Sequence, residues 1–408
     1  MWCMFKLKTK PTFGWAALWF SISSSSGLIA CRSELGDTGV IDRPFWVPAH
    51  YPPLPQTIPE FTDAQLELGR WLFYDVRLSQ NGTRSCGTCH EQIKAFTDGL
   101  AQGLGINNSI LPLNTLSLAN VAWRTELTWS SQLETVESHM RIPLLNTNPV
   151  EMGMTDELII ERLTEYDPYN EMFDLAYPTD GSPISVENTI AAIAAFTTTI
   201  VDGQSEYDKW LQGESQFSPE AQEGHRLFYG DEMKCGACHG GLFFDQPDPE
   251  MTAQNGRHGY FNTGQYHINA QGDYPPQAQG LIEQTGKAED MGRFRTPSLR
   301  NLSFTKPWLH DGTEFSVDSI LQAYARGGRK LESGAFPGDG HDNPYKSELI
   351  EGFTLTEDRK MALMAFLNTL DDPNLLENPR LKSPFCIQQA GEIINAPCET
   401  PYLVNENK

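Results

Sequence analysis

Two short stretches of the sequence each place two thiols and an imidazole side by side. Both have the pattern Cys-x-x-Cys-His: Cys86, Cys89 and His90 in the first, and Cys235, Cys238 and His239 in the second. Two thiols at this spacing can add across the two vinyl groups of one porphyrin, after which the neighbouring imidazole can bind the iron. The pattern therefore predicts two covalently attached haem c groups, with His90 and His239 as iron ligands.

Cys-x-x-Cys pairs also occur in two other kinds of site. Two pairs can together form a four-thiolate zinc site, and a single pair can act as a thioredoxin-like redox centre. Three observations favour haem over both alternatives: the histidine that follows each pair, the predicted export of the chain, and the position of each motif in one copy of an internal repeat.

The composition restricts the classes of protein to which the chain can belong. With 408 residues, the chain is longer than chains that usually fold around a single hydrophobic core, and this length predicts two domains. A hydrophobic content of 39% and a charged content of 20% are typical of a globular protein. The formal net charge of -23 argues against a nucleic-acid partner, because phosphate binding needs clustered Lys and Arg. An acidic surface suits a basic protein partner or simple solubility.

Residues 1–30 have the pattern of a lipoprotein-type signal peptide. Three lysines precede an apolar stretch that ends in LIAC, so that Cys31 would become the lipidated first residue of the mature protein. A lipid would anchor the chain to a membrane without spanning it. The alternative is an ordinary cleaved signal peptide with a chance cysteine. The predicted location is the periplasmic side of a Gram-negative cell envelope.

The remainder of the chain divides into an arm and two repeated modules. Residues 31–59 are Pro-rich and lack periodicity, which indicates an extended arm or linker. The similar segments LGRWLFYD and EGHRLFYG precede the two Cys-x-x-Cys-His motifs and indicate two copies of one helical module. We therefore predict an N-terminal haem domain over residues 60–205 and a C-terminal haem domain over residues 215–380.

Two further cysteines lie in the tail, residues 381–408. Cys386 and Cys398 are close in sequence, in a stretch without clear helical periodicity. A disulfide between them is expected in an exported protein. Two free thiols are the alternative, which an oxidising compartment disfavours.

The secondary-structure signals are mostly helical. Thr62 followed by Gln65 forms a capping-box pattern, and Ser218 followed by Pro219 marks a second helix start. Three longer stretches carry apolar residues at helical spacing, whereas convincing strand alternation is rare. The predicted fold class is therefore mostly α, with long loops.

Several longer segments resemble one protein family. CHEQIKAFTDG, NTLSLANVAW, NPVEMGM, RTPSLRNLSFTKPWLHDG and AYARGG occur in an order that resembles the bacterial di-haem cytochrome c peroxidase superfamily. The resemblance covers about residues 60 to 375. It implies two cytochrome c-like helical domains, each carrying one covalently bound c-type haem, and an oxidoreductase that uses peroxide.

The second ligand of each iron distinguishes two branches of this superfamily. No histidine lies between His90 and His139, so the resemblance implies a first haem with one open face. Tyr324 stands where conventional peroxidases carry methionine, which resembles the MauG-like branch. The segments FNTGQY and DMGRFRTPSLRN resemble, within that branch, the methanobactin-associated di-haem enzymes. A phenolate is a hard anion that favours Fe(III) and higher states. The alternative is a tyrosine packed in the core.

The resemblance also implies roles for residues around the haems. Glu151 matches the family's acid/base glutamate, which moves the proton of bound hydrogen peroxide; a solvated loop glutamate is the alternative. His139 falls where relatives often have glutamine and is expected to assist proton transfer. Trp129 matches the tryptophan between the haems, whose indole relays an electron. His310 is expected near the second haem.

One calcium ion is implied in the same way. Asn114, Thr305 and Pro307 match the family's site, where one side-chain oxygen and two main-chain carbonyls bind the ion.

Arg295 and Arg300 are candidate partners of haem propionates. Structural salt bridges are the alternative for both arginines.

Three functions from different classes follow. The MauG-like resemblance implies an enzyme that uses hydrogen peroxide to form a bis-Fe(IV) state and oxidises a residue of a periplasmic partner protein by long-range electron transfer. Tryptophan is the expected residue, and the methanobactin-associated relatives suggest a copper-binding partner. The alternatives are a conventional cytochrome c peroxidase, which reduces hydrogen peroxide to water with electrons from a small redox protein, and a di-haem electron carrier without peroxide chemistry.

Overall fold

The computed structural model describes residues 46–131, 135–247, 259–387 and 393–397. These residues are mostly helical with few strands, which confirms the predicted class. The α-helices are α1 (Asp63–Tyr74), α2 (Cys86–Cys89), α3 (Val136–Leu145), α4 (Asp156–Thr164), α5 (Asp167–Ala176), α6 (Val186–Thr198), α7 (Glu206–Leu211), α8 (Pro219–Phe228), α9 (Cys235–Cys238), α10 (Ile282–Thr285), α11 (Val317–Arg326), α12 (Glu357–Asn368) and α13 (Pro373–Glu377).

The shorter elements lie between these helices. Single turns of 3-10 helix are formed by Val76–Leu78, Gln92–Lys94, Ile106–Asn108, Val121–Trp123, Ala288–Asp290, Leu302–Phe304, Gly340–Asp342 and Pro379–Leu381. The strands are β1 (Tyr260–Phe261), β2 (Phe294–Arg295), β3 (Lys330–Leu331), β4 (Gly338–Asp339), β5 (Phe385–Ile387) and β6 (Ile393–Pro397). They pair as the antiparallel ribbons β1–β2, β3–β4 and β5–β6.

The predicted helix starts are present. The Thr62 hydroxyl accepts from the Gln65 N–H at 3.2 Å, and the Gln65 side chain accepts from the Thr62 N–H at 2.9 Å. The Ser218 hydroxyl accepts from the main-chain N–H of Ala221 at 3.1 Å. The helical stretch DELIIERLTEYDPYNEMFDLAY is divided into α4 and α5, because Pro168 lacks the N–H that a continuous helix would need.

The same helix crossing occurs twice. α1 packs on α6, and α8 packs on α12. Gly69 of α1 lies against the main chain of Ala192, and Gly224 of α8 lies against the main chain of Ala362. A Cβ atom added at these glycines would lie 1.8 and 1.9 Å from the two carbonyl oxygens. The glycines hold the same position in LGRWLFYD and EGHRLFYG, so the internal repeat in the sequence is a repeat of helix packing.

Each copy of the repeat ends in a tyrosine that packs on a Cys-x-x-Cys turn. The Tyr74 ring lies against Gly87 of α2, and the Tyr229 ring lies against Gly236 of α9. A Cβ atom at Gly87 or Gly236 would come within 2.3 or 2.4 Å of a ring carbon. The glycine between the two cysteines therefore lets each ring reach the backbone of the turn.

The hydrophobic core has two main parts. One surrounds α1 and α6 and includes Trp71, Phe73 and Phe196, all nearly or fully buried. The other surrounds α8 and α12 and includes Phe228 and Phe366. Each part lies behind one Cys-x-x-Cys-His motif. The domain boundaries given above remain a prediction.

A buried polar network joins the segment before α1 to residues further along the chain. The Tyr51 hydroxyl donates to Asp202 at 2.6 Å, and the His50 ring lies 3.0 Å from Asp208. Arg300 lies between both carboxylates, 2.8 Å from Asp208 and 3.4 Å from Asp202. Breaking a buried ion pair of this kind costs about 3–5 kcal/mol, since the remaining charge stays buried.

Some predictions fall outside the described residues. These are the signal peptide, the lipidation site Cys31 and the first part of the arm, up to residue 45. The Cys386–Cys398 pair also falls outside, because neither side chain is among those described. In the part of the chain that the structure describes, no helix is both long enough and apolar enough to cross a membrane.

Candidate active site

The first Cys-x-x-Cys-His motif forms the single turn α2, which its histidine follows directly. The Nδ1 atom of His90 lies 2.8 Å from the carbonyl oxygen of Phe96. Because a carbonyl can only accept, Nδ1 carries the hydrogen and Nε2 keeps a free lone pair. Burial lowers the pKa of His90, which keeps the imidazole neutral. His90 is therefore prepared to bind a metal through Nε2.

The second motif repeats this arrangement. The Nδ1 atom of His239 lies 3.0 Å from the carbonyl oxygen of Phe244, and burial lowers the pKa of His239 to about 4. Phe96 and Phe244 both have left-handed backbones, with φ of 62° and 54°. This conformation is uncommon for a residue other than glycine. In both motifs, the residue that adopts it is the one whose carbonyl accepts the hydrogen bond from the histidine.

Two observations argue against the alternatives to haem. Burial raises the pKa of Cys86 and of Cys238 to about 12, whereas thioredoxin-like centres need a lowered thiol pKa. Within the described residues, no three His, Cys, Asp or Glu side chains form a metal-binding group. The two cysteine pairs therefore do not meet in a zinc site.

A cavity of about 240 Å³ lies beside the second motif, far more space than a water molecule needs. Its wall includes Cys235, Cys238 and His239 of the second motif, and also Tyr324 of α11. Burial, followed by the nearby thiols, raises the pKa of Tyr324, while a hydrogen bond from Thr263 acts in the opposite direction. The structure thus brings the predicted iron ligands His239 and Tyr324 to one cavity.

Two residues that orient Tyr324 were not predicted from the sequence. The Gln265 amide donates to the Thr263 hydroxyl at 3.1 Å, and Thr263 is hydrogen-bonded to the phenol of Tyr324. Hydrogen bonds donated toward the phenol oxygen favour its anionic form. Both residues belong to the segment FNTGQY, which carried part of the family resemblance. The sequence thus pointed to this segment, but not to the contact of its residues with Tyr324.

The polar atoms of the cavity wall fit a haem. Arg295 Nη2 and His310 Nε2 are buried and have no hydrogen-bond partner among the described residues, although buried N–H groups are rarely unpaired. His310 stacks on Phe294 at 3.7 Å, and burial lowers its pKa to about 4. A haem propionate would provide the missing acceptor for Arg295. Arg300 is held by Asp208, so the structural alternative applies to it.

Trp129 lies in the wall of the same cavity and is 7% exposed. Its indole N–H donates to the main-chain carbonyl of Asn114 at 2.8 Å, and its own carbonyl accepts from the N–H of Arg295 at 2.8 Å. The cavity extends to Thr97, which directly follows the carbonyl that accepts the His90 hydrogen bond. Trp129, the second motif and Thr97 therefore line one cavity.

The residues predicted to move protons lie near the first motif. Burial raises the pKa of Glu151 to about 7. Burial is also the main cause of the raised pKa of Cys86 and Cys89, and the Glu151 carboxyl adds to it. His139 has its pKa lowered to about 4, first by burial and then by His90. Its Nδ1 atom is buried without a partner among the described residues.

Main-chain contacts fix the positions of both residues. Pro143 lies inside α3 and lacks the N–H that would bond to the carbonyl of His139 one turn earlier. The Pro143 carbonyl accepts instead from the N–H of Met152, and the Glu151 carbonyl accepts from the N–H of Ile106, at 2.9 and 2.8 Å. The turn that carries Glu151 is therefore attached to the helix that carries His139.

The predicted calcium ligands lie in neighbouring segments. The main-chain N–H of Asn114 donates to the carbonyl of His310 at 2.8 Å, close to the segment that contains Thr305 and Pro307. The Asn114 amide nitrogen donates to Leu100 at 2.8 Å, which leaves the amide oxygen as the donor atom for an ion. The calcium ion stays a prediction.

Known proteins resemble this chain over most of its length. The family model for di-haem cytochrome c peroxidase matches residues 63–216. The methylamine utilization protein MauG of Methylorubrum extorquens is 30% identical over 335 residues, covering 80% of this chain and 85% of the relative. The chain belongs to the di-haem cytochrome c peroxidase family. Cytochrome c551 peroxidase of Nitrosomonas europaea is 28% identical over 275 residues, covering 67% of this chain and 76% of the relative.

A solved structure is more similar still. A MauG-like protein associated with microbial copper homeostasis superposes with a TM-score of 0.79 at 39% identity, covering 83% of this chain and 98% of that one. These similarities confirm that the chain is a member of the MauG-like branch. They also confirm that it is an enzyme, a di-haem peroxidase, which is an oxidoreductase that uses peroxide. Membership of this peroxidase family implies two haem c groups, which the two motifs fit.

Proposed function

We propose that this di-haem peroxidase uses hydrogen peroxide to oxidise a residue of a partner protein by long-range electron transfer. The observation that carries the proposal is the position of Tyr324, in the wall of the cavity beside the second motif, together with Cys235, Cys238 and His239. An anionic oxygen ligand suits a haem that stores oxidising equivalents better than one that accepts electrons from a mild donor.

The cofactors would be held by the two motifs. Cys86 and Cys89 would attach one haem and Cys235 and Cys238 the other, with His90, His239 and Tyr324 as iron ligands. When bound, the two haems would supply the redox chemistry for the two oxidising equivalents of one peroxide.

Glu151 supplies the proton transfer at the first site. It takes a proton from hydrogen peroxide and returns it to the oxygen that leaves as water. A pKa of about 7 gives this carboxyl both protonation states near neutrality. His139 stays neutral at that pH, so one of its ring nitrogens is able to accept a hydrogen bond and the other to donate one.

Trp129 carries electrons between the two sites. Its N–H is bonded to a main-chain carbonyl, which is too weak a base to remove the proton. The indole therefore keeps its hydrogen when it loses an electron, and the transfer needs no accompanying proton movement.

The partner, the ion and the location are part of the same proposal. The solved MauG-like relative is associated with microbial copper homeostasis, and on this basis we assign a copper-binding partner, with tryptophan as the oxidised residue. The acidic charge of this chain suits a partner with a basic face. We assign calcium to Asn114, Thr305 and Pro307. We place the protein on the periplasmic side of the envelope, anchored at Cys31.

The substitution Tyr324→Met in the haem-loaded protein tests this assignment. Replacing an anionic oxygen by a neutral sulfur is expected to raise the reduction potential of the second haem, measured by spectroelectrochemical titration. The matched control is Tyr177→Phe, a tyrosine of the first module whose hydroxyl donates to the carbonyl of Asn188 at 3.0 Å, for which we expect no change. An unchanged potential in Tyr324→Met, or a resting protein in which both haems are six-coordinate and low-spin, contradicts the proposal.

The similarity to cytochrome c551 peroxidase supports a second function, the reduction of peroxide with electrons from a small redox protein. Rapid steady turnover of the wild-type enzyme with a reduced small cytochrome would favour it. We expect slow turnover with such a donor, together with oxidising equivalents that persist after one equivalent of peroxide.

A further inference from the structure

The second Cys-x-x-Cys turn has an exposed aromatic ring packed directly on it. Tyr229 is 42% exposed. Its ring lies against Gly236, which stands between the two haem-attaching cysteines of α9. Tyr229 therefore touches both the haem-attachment segment and the solvent.

The equivalent tyrosine of the first module is less exposed. Tyr74 packs on Gly87 in the same way, but its hydroxyl donates to the main-chain carbonyl of Leu381 at 2.6 Å. The segment after α13 continues over this module, where Phe385 packs edge-on against Trp71 at 5.2 Å. The two copies of the motif therefore carry a tyrosine at the same position but differ in its exposure, and Tyr229 is the exposed one of the two.

Tyr229 is also connected through ring contacts to the residue that orients His239. Its ring lies 5.0 Å from Phe228, and the Phe228 ring lies 6.0 Å from Phe244, whose carbonyl accepts the His239 hydrogen bond. A second oxidisable side chain, Tyr207, has its ring 5.0 Å from Phe244. Aromatic contacts therefore run without a gap from Phe244 through Phe228 to the exposed ring.

We propose that oxidising equivalents leave the protein through Tyr229, and that the partner residue is oxidised while in contact with the exposed face of this ring. This inference rests on the proposed function, and it adds the place where the partner is oxidised. Trp129 cannot serve as that contact, because it is 7% exposed.

Tyr229 acts in this step as a one-electron relay. One hydrogen peroxide accepts two electrons and two protons to give two waters. Tyr229 loses one electron to the oxidised second haem site and its hydroxyl proton to solvent, which reaches the exposed ring. It then regains an electron and a proton from the partner residue. Two such cycles consume one peroxide.

Without a partner, the same chemistry gives a covalent product. Two Tyr229 radicals from two molecules join through one carbon–carbon bond, with the loss of two electrons and two protons in total. One peroxide and two tyrosines thus give one dityrosine and two waters. The haem-loaded protein, treated with one equivalent of hydrogen peroxide, should form a cross-linked dimer. Peptide mass spectrometry should locate the dityrosine at residue 229.

Matched variants test the assignment. Tyr229→Phe keeps the ring that packs on Gly236, so we expect a folded protein with both haems and without the cross-link. Tyr74→Phe makes the same change on the less exposed ring and should form the dimer like the wild type. A cross-link that persists in Tyr229→Phe, or a dityrosine located at another residue, overturns the inference.

Two failures can be told apart by the haem spectra. If peroxide changes the spectra of both haems but no modification appears at Tyr229, the proposal that oxidising equivalents leave through this ring is wrong, and the proposed function stands. If peroxide leaves the second haem unchanged, the proposed function fails and this inference fails with it.

Discussion

The indole Nε1 of Trp129 donates a hydrogen bond of 2.8 Å to the main-chain carbonyl of Asn114. The N–H of Asn114 donates in turn to the carbonyl of His310, also at 2.8 Å. The indole is therefore held through main-chain atoms and not through a titratable group. Its orientation in the wall of the cavity beside the second motif is set by hydrogen bonds that do not titrate.

The first prediction concerns electron transfer through this residue. Trp129→Phe keeps an aromatic ring but removes the oxidisable indole, so we expect peroxide to oxidise the first haem while the second responds far more slowly. Stopped-flow spectroscopy of the two haems measures this directly. In the wild type, the rate of transfer between the haems should be independent of pH, since the indole keeps its proton.

Trp123→Phe is the matched control. Trp123 is also 7% exposed and also donates to a main-chain carbonyl, that of Pro52 at 3.0 Å. It stacks on Phe243 and belongs to the core. We expect normal transfer in this variant. Equal slowing in both tryptophan variants would show a structural effect and would contradict the relay.

The second prediction concerns the pH dependence of the reaction with peroxide. Glu151 must be ionised to accept the peroxide proton, and its pKa is about 7. The rate should therefore rise with pH through about pH 7. Glu151→Gln should lower the rate about 10²- to 10⁴-fold and remove this dependence. Rapid mixing with peroxide over a range of pH measures both effects, and Glu157→Gln, on an exposed glutamate, should leave them unchanged.

The same carboxyl affects stability with a defined sign. Burial raises the Glu151 pKa from 4.5 to about 7, so the folded protein binds this proton more tightly than the unfolded chain does. The contribution to stability is complete below about pH 4.5 and is lost as the pH rises through 7. Glu151→Gln should lack this loss, so its melting temperature relative to wild type should increase across that range.

Local patterns made part of this site predictable. The haem-attachment motifs and the capping box are short-range features. The similarity of LGRWLFYD and EGHRLFYG predicted the two helical modules. The family resemblance carried Tyr324, Glu151 and Trp129 to positions that the structure places around the two motifs. Their roles remain proposals.

Contacts between distant residues were not predictable in this way. Thr263 contacts Tyr324, and Arg300 pairs with Asp208, across long stretches of sequence. No periodicity or spacing encodes such pairs, because they depend on how the modules pack. Tyr74 and Tyr229 show the same limit, since the shared Leu-Phe-Tyr sequence gives a partly buried ring in one module and an exposed ring in the other.

The last prediction uses the repeated helix crossing. Gly224→Ala would place a Cβ atom 1.9 Å from the carbonyl oxygen of Ala362, so α8 and α12 must move apart. Overpacking of this kind costs about 1–3 kcal/mol, partly offset by the roughly 1 kcal/mol by which alanine favours a helix. We expect a lower free energy of unfolding in denaturant, and the same from Gly69→Ala, which meets Ala192 at 1.8 Å.

Gly181→Ala provides the control for these two variants. A Cβ atom at Gly181 would meet no atom within 4 Å, so this substitution should leave stability unchanged or slightly raised. If Gly224→Ala behaves like Gly181→Ala, the crossing of α8 and α12 has room for a methyl group. The close approach of the two helices would then not explain why both copies of the repeat carry glycine at this position.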